Sequence, residues 1–227
     1  MVPIGTPHND QNTRLRTALS APNSSIRLRA ALAAGTTPDP SFVLVLVERC
    51  ESEPDFFVRD MLTWALTRHP TELTVPALLT ELHSDAPQAR SQSLHTLSKI
   101  ADKNLWRSIP KSLIHDTDDE VARAAWRTAV ILVPPDEEHD LVNELVAELG
   151  RGDRDMKRSL SRALIALSDA IPPLLNTATS SDDPTIRAHA RATERLLADP
   201  ESEFTITADD ARRIVNAGNA MQDEEQC

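Results

Sequence analysis

Cys50, His83 and His115 fall into one column when the chain is aligned on its recurring Pro or Asp positions, each four residues before Pro54, Pro87 or Asp119. Thiolate and imidazole are zinc ligands, so this spacing raises a metal hypothesis. Stacked helices lie about 8–10 Å apart, whereas ligands of one zinc converge to about 2.0–2.3 Å from it, so one residue per helix in a column does not build a centre. The column reads as surface and turn residues, and no metal is expected. A second set recurs as well: Arg27, Arg59, Arg90 and Arg187 stand at equivalent places, as a phosphate-binding ladder would require. No HExxH, paired CxxC, P-loop, dinucleotide fingerprint or Ser-His-Asp pattern accompanies them, so neither a catalytic residue nor a cofactor is expected. Asp136, Glu137 and Glu138 read as a solvated loop.

The elements that carry these residues follow from composition and spacing. A chain of 227 residues, 40% hydrophobic, has enough apolar surface for a core. Only 5 glycines, no tyrosine and 3% aromatics count against a sandwich or barrel and favour helices rich in Ala, Leu, Arg and Glu. No apolar run approaches the roughly 18 residues that span a bilayer, and the N-terminus lacks a secretory pattern. Two cysteines, Cys50 and Cys227, make no disulfide framework, so a reducing cytoplasm is expected. The net charge of -11 counts against nucleic acid, whose affinity rests on Lys and Arg at phosphates. Lysine occurs only at 99, 103, 111 and 157, an arginine bias of the kind that GC-rich bacterial coding produces.

Six segments share a register. They begin "PNSSIRLRAALAAG", "PDFFVRDMLTWAL", "PQARSQSLHTL", "DEVARAAWRTA", "DMKRSLSRALIAL" and "PTIRAHARATERLL". Each opens with Pro or Asp and then reaches an apolar or small residue: Ile26, Val58, Ala89, Val121, Met156 and Ile186, at steps of 32, 31, 32, 35 and 30. A basic residue follows at once in five of them, while Ala122 breaks the pattern. Small or apolar residues four and eight positions on trace one helix face, so each segment is a first helix with a capping or first-turn residue in front. A second helical stretch follows, as in "VPALL", "IPKSLI", "HDLVNELVAEL" and "IPPLL". The unit is helix, turn, helix in about thirty residues.

Six such units in register resemble the HEAT-repeat family, in its short HEAT-like or lyase-type form. The residues that carry the resemblance are "DPTIRAHA", "PDFFVRDM", "DDEVARAA" and "SSIRLRAA". It implies an all-α fold: an α-solenoid of about six two-helix repeats with helical caps. Residues 1–21 then form an N-terminal arm and capping helix, 22–198 the solenoid, and 199–227 a C-terminal capping helix and acidic tail. The resemblance also implies that the recurrent arginine pairs with an Asp of a neighbouring turn, here Asp85, Asp118 or Asp183. Some members of the family are alkylpurine DNA glycosylases, which trap DNA with Trp, Asp and Arg. The matching ingredients here are Trp64, Trp106 and Trp126 with Asp60, Asp102, Arg107, Arg123 and Arg127. Phycobilin lyases use such repeats too, but no residue selects that activity.

The run Phe42 to Val47 is strand-like by propensity, yet the register assigns it to a second helix. Six consecutive apolar residues cover every side of a helix, so either a neighbouring segment covers the extra face or a partner does. The expected function is a non-enzymatic adaptor or regulatory scaffold that binds another protein or peptide on its concave, second-helix face. The expected partner-binding residues are Phe42, Val45 and Leu46 as apolar anchors, with Glu48, Arg49, Glu81, Lys111, Glu144 and Glu148 selecting the partner.

Overall fold

A computed structural model describes residues 7–167 and 172–199, and all regular structure among them is helical. Residues 1–6 of the expected N-terminal arm and cap (1–21), and residues 200–227 of the expected C-terminal cap and tail (199–227), lie outside the described residues. The chain divides after Leu132 into two compact units.

The first unit contains α1 (Pro7–Leu19), α2 (Ser24–Thr36), α3 (Val43–Ser52), α4 (Phe56–Thr67), α5 (Thr71–Glu81), α6 (Pro87–Ile100) and α7 (Asp119–Leu132). Side-chain caps fix where the first helices start. Asn23 accepts from the Ser25 N–H, Asp55 from Phe57 and Val58, and Asp118 from Glu120 and Val121. α6 has no such side chain at Ala86; Pro87 pre-sets its first turn, and the Ser84 hydroxyl accepts from the Ala86 N–H. The run from Phe42 is helical as the register requires: a 3₁₀ turn, Pro40–Phe42, leads into α3. α3 packs against α1, α4, α5 and α6, which buries Val43, Val45, Leu46, Val47 and Cys50 and leaves Leu44 69% exposed.

Two second-helix slots differ from expectation. α5 begins at Thr71, so Pro76 lies inside it and not in its first turn; the exposed Glu72 carbonyl loses its usual donor. In the third slot two 3₁₀ segments, Lys103–Ser108 and Lys111–His115, replace an α-helix. Pro110 disfavours the helical conformation for Ile109, which sits at ψ 118 and separates them. Between first helices the core is tight: Leu62, Leu66, Leu94, Leu97 and Trp126 have no exposed surface. Gly35 lets α2 and α4 touch, since a Cβ there would lie 2.3 Å from the Trp64 ring and 2.8 Å from the Ala65 Cα.

The second unit holds α8 (Glu138–Val146), α9 (Arg154–Ile165), α10 (Pro172–Ala178) and α11 (Pro184–Ala198). Asp153 and Asp183 cap α9 and α11. Gly150 turns the chain at φ +91, a left-handed conformation that glycine adopts without strain.

Two hydrogen-bond patterns repeat at fixed offsets from these caps. Four residues after the cap, Arg27, Arg59, Arg90 and Arg187 each donate from Nη1 to the two carbonyls just before their own helix: Ala21 and Pro22, Glu53 and Pro54, Ser84 and Asp85, Ser181 and Asp182. In two repeats the other edge of the guanidinium grips a carboxylate in the following turn. Arg27 Nε and Nη2 each lie 2.8 Å from Glu53, and Arg90 Nε and Nη2 each 3.0 Å from Asp116. Glu53 and Asp116 stand two residues before their caps and also accept the cap's N–H. The arginine side chains therefore do not pair with the carboxylates of Asp85, Asp118 or Asp183: Asp118 and Asp183 each accept two helix N–H groups at Oδ1, and exposed Asp85 meets Arg90 through its backbone carbonyl.

The second pattern is a buried polar trio. In the first unit Gln92 donates to the Arg59 carbonyl and to Thr63 Oγ1, which lies 3.3 Å from Thr96 Oγ1. In the second unit His189 Nε2 lies 2.9 Å from the Lys157 carbonyl and 3.1 Å from Ser161 Oγ, which is 2.7 Å from Thr193 Oγ1. Gln92 and His189 both sit six residues after their caps. Lys157, moreover, holds the offset that Arg59 holds in the first unit.

Candidate binding groove

A groove of about 720 Å³ crosses α4, α6 and α7 in the first unit. α4 contributes Phe56, Arg59 and Asp60, α6 contributes Gln88, Ser91 and His95, and α7 contributes Glu120, Arg123 and Arg127. All three are first helices, and their outward positions recur every three or four residues, which lines the groove with one stripe from each.

The charges in the groove are unevenly engaged. Asp118, at its edge, is occupied in capping, and Glu120 accepts from Arg123 Nη1 at 2.8 Å. Arg123 Nε is buried without a partner. Arg127 donates from Nε to the Arg123 carbonyl, and partial burial beside the Arg123 charge lowers its pKa. Burial, Lys99 and Arg127 hold the His95 imidazole below its ordinary value, so it is neutral at pH 7. Arg59 stacks over the exposed Phe56 ring, 6.0 Å from its centroid, and Phe56 meets Phe57 edge to face at 5.6 Å. Phe56, which lines the groove, and Phe57 beside it are 65% and 71% exposed.

Of the glycosylase-like ingredients, Asp60, Arg123 and Arg127 meet in this groove, whereas Asp102 and Arg107 do not line it. None of the tryptophans lines it either. Trp126 is fully buried and donates its indole N–H to the Ile114 carbonyl, Trp106 is buried, and Trp64 covers Gly35.

The expected second-helix residues are dispersed. Val45 and Leu46 are core, at 4% and 0% exposure, and so offer a partner no surface. Phe42 lines a separate hollow of about 510 Å³ beside α1 and α2. Arg49 is bound to buried Glu53 at 2.7 Å, and Glu48 forms an ion pair with Arg16. Glu81 is half-buried and Lys111 exposed in the first unit, while Glu144 and Glu148 are half-buried in the second, Glu148 bonded to Arg151. Cys50 is buried, which pushes its thiol up to about 12, and among the described residues no three His, Cys, Asp or Glu side chains gather as metal ligands. No described helix is long and apolar enough to cross a membrane.

The sequence singled out Arg59, Asp60, Arg123 and Arg127 as possible ligand-binding groups but did not show that they meet in one groove. Its residues lie on three segments, and their convergence depends on how α4, α6 and α7 pack.

No protein-family model matches the chain, and no curated protein matches it. Among solved structures it is similar to two engineered proteins from a structural-genomics programme. One is 20% identical, with a TM-score of 0.44, over 83% of this chain and 96% of that one. The other is 17% identical, with a TM-score of 0.43, over 82% of this chain and 98% of that one. Similarity at this level carries neither a family nor a function.

Proposed function

We propose that this chain is a HEAT-like helical-repeat protein, an α-solenoid that works as a non-enzymatic cytoplasmic adaptor and docks a partner protein across its first helices. The groove over α4, α6 and α7 carries this reading: three successive first helices present aromatic, cationic and amide groups to one open trough. The repeated arginine clamp and the repeated polar trio favour a repeat architecture, because the same bonds recur at the same offsets in both units. The docking face differs from the second-helix face that the apolar run suggests, since that run is spent on core packing.

The test is an affinity capture with wild type and with Ser91→Trp, which places a large ring in the groove. A partner retained by wild type and released by the variant supports the reading; a partner held equally by both puts docking elsewhere. An alkylpurine DNA glycosylase is the competing reading, because Asp60, Arg123 and Arg127 share the groove. Release of a base from alkylated duplex DNA, abolished by Asp60→Asn, would replace the adaptor with an enzyme.

A further inference from the structure

The clamp that recurs along the first unit is complete at Arg27 and Arg90 and incomplete at Arg59. At the first two, Nη1 holds the local carbonyls while Nε and Nη2 chelate Glu53 or Asp116. Arg59 keeps the carbonyl half, donating to Glu53 and Pro54 at 3.0 and 2.8 Å. The residue two before the next cap is Ser84, however, whose short hydroxyl is engaged with the Ala86 N–H and carries no charge. The Nε and Nη2 edge of Arg59 thus has no carboxylate among the described residues, and Arg59 lines the groove.

We infer that the Arg59 guanidinium is an open carboxylate socket, which takes an Asp or Glu side chain of a docking peptide in the role that Glu53 and Asp116 play for the neighbouring arginines. This rests on the adaptor reading above and names the chemistry of its ligand. The planar fork of an arginine matches a carboxylate with two parallel N–H···O bonds, and Nη1, already fixed by two carbonyls, holds that fork in place before the ligand arrives. Arg123, whose buried Nε lacks a partner, adds a second cation from α7, and Phe56, backed edge to face by Phe57, offers an apolar ring in the groove. The fitting partner is a segment with an acidic residue next to an apolar one. Local pairing must supply the affinity, since both this chain, at -11, and its ligand are acidic.

The structure also suggests the control. Ser84→Asp puts a carboxylate where Asp116 stands one repeat later, so it fills the socket from within. The probe is a fluorescein-labelled octapeptide of alternating Glu and Leu, with the Gln and Leu version as its neutral counterpart. Binding is read by anisotropy, and the Nε–H signals of the arginine side chains by NMR. Wild type binds the acidic peptide and shifts the Arg59 signal but not those of Arg27 or Arg90. Arg59→Gln and Ser84→Asp both weaken binding at least about tenfold, the loss of one charge-assisted pair, and Ser84→Asp raises the melting temperature.

Equal binding of the neutral peptide overturns the socket, as does full affinity in Ser84→Asp. A phosphoserine version bound tenfold tighter than the Glu peptide would overturn it in favour of a phosphate site. A partner lost in Ser91→Trp but kept in Arg59→Gln would sink the socket while sparing the adaptor reading.

Discussion

Glu53 is the most consequential single carboxylate in the first unit. It has no exposed surface, and its oxygens accept from Arg27 Nε and Nη2 at 2.8 Å, from Arg49 Nε and Nη2 at 2.9 and 2.7 Å, and from the Asp55 N–H at 2.9 Å. Burial alone would raise its pKa, but the Arg27 bonds, the Asp55 N–H and Arg49 outweigh it and hold it below the usual carboxylate value. Glu53→Gln keeps the shape and removes the charge, leaving buried Arg27, which is 6% exposed, without a counter-ion. Breaking a buried pair from one side costs about 3–5 kcal/mol. With a urea m-value of about 2 kcal/mol/M, that lowers the midpoint by about 2 M. All three tryptophans, at 64, 106 and 126, lie in the first unit, so tryptophan fluorescence follows this transition without contribution from the second. The sign with pH is fixed: the native pKa is depressed, so the advantage of wild type over Glu53→Gln is full above the unfolded value near 4.5 and disappears as pH falls through the lower native one. A difference below about 1 kcal/mol at pH 7, where an exposed pair would fall, refutes the buried-clamp account.

Three further outcomes follow from the same structure. His189 is fully buried, accepts the Gly150 N–H at Nδ1, and has its pKa pushed down to about 4 from 6.5 by burial, so between those values the unfolded chain takes up a proton that the native one refuses. The second unit should lose about 3 kcal/mol as pH drops from 6.5 to 4, seen in thermal melts by far-UV circular dichroism; an unchanged pH dependence in His189→Gln would dismiss the group. Gly35→Ala should cost about 1–3 kcal/mol by overpacking, and Trp64→Ala should not rescue it, because the Ala65 backbone 2.8 Å away remains; full rescue would show that the ring alone sets the contact. In Cys227→Ser protein, Cys50 should resist Ellman's reagent at pH 8 until urea unfolds the first unit, since burial pushes its thiol up to about 12; rapid native labelling would disprove its enclosure.

The helical content and the first-helix register were legible because caps and apolar positions are local signals. Asn23, Asp55, Asp153 and Asp183 each act within three residues of themselves. The helical state of Val43 to Val47 was also readable, but only through the repeat, since its own residues favour strand. What lies on the outside of α3 was not: Val45 and Leu46 differ from Leu44 only in which neighbour lies over them, and α1, α5 and α6 decide that. The arginine ladder was visible, yet its partners were not: Arg90 takes Asp116, two residues before the expected Asp118, and Arg27 takes Glu53, which was not among the expected residues. Asp is expected in both places, and only geometry tells an Asp that caps a helix from one that faces a guanidinium.

Where the repeats differ at one offset, the difference carries chemical meaning. Gln92 and His189 share the bonds to the carbonyl and the hydroxyl of the facing helix, and His189 adds one, accepting the Gly150 N–H at Nδ1. The choice of an imidazole makes this position in the second unit sensitive to pH between about 4 and 6.5, whereas Gln92 does not titrate at its place in the first. At the clamp position, Glu53 and Asp116 close the guanidinium, and Ser84 leaves it open beside the groove. If Ser84 served packing alone, completing the clamp with Asp would add stability and change nothing else. The socket requires that the same substitution stabilise the fold and abolish peptide binding together, so a variant that gains one without losing the other separates a structural vacancy from a binding site.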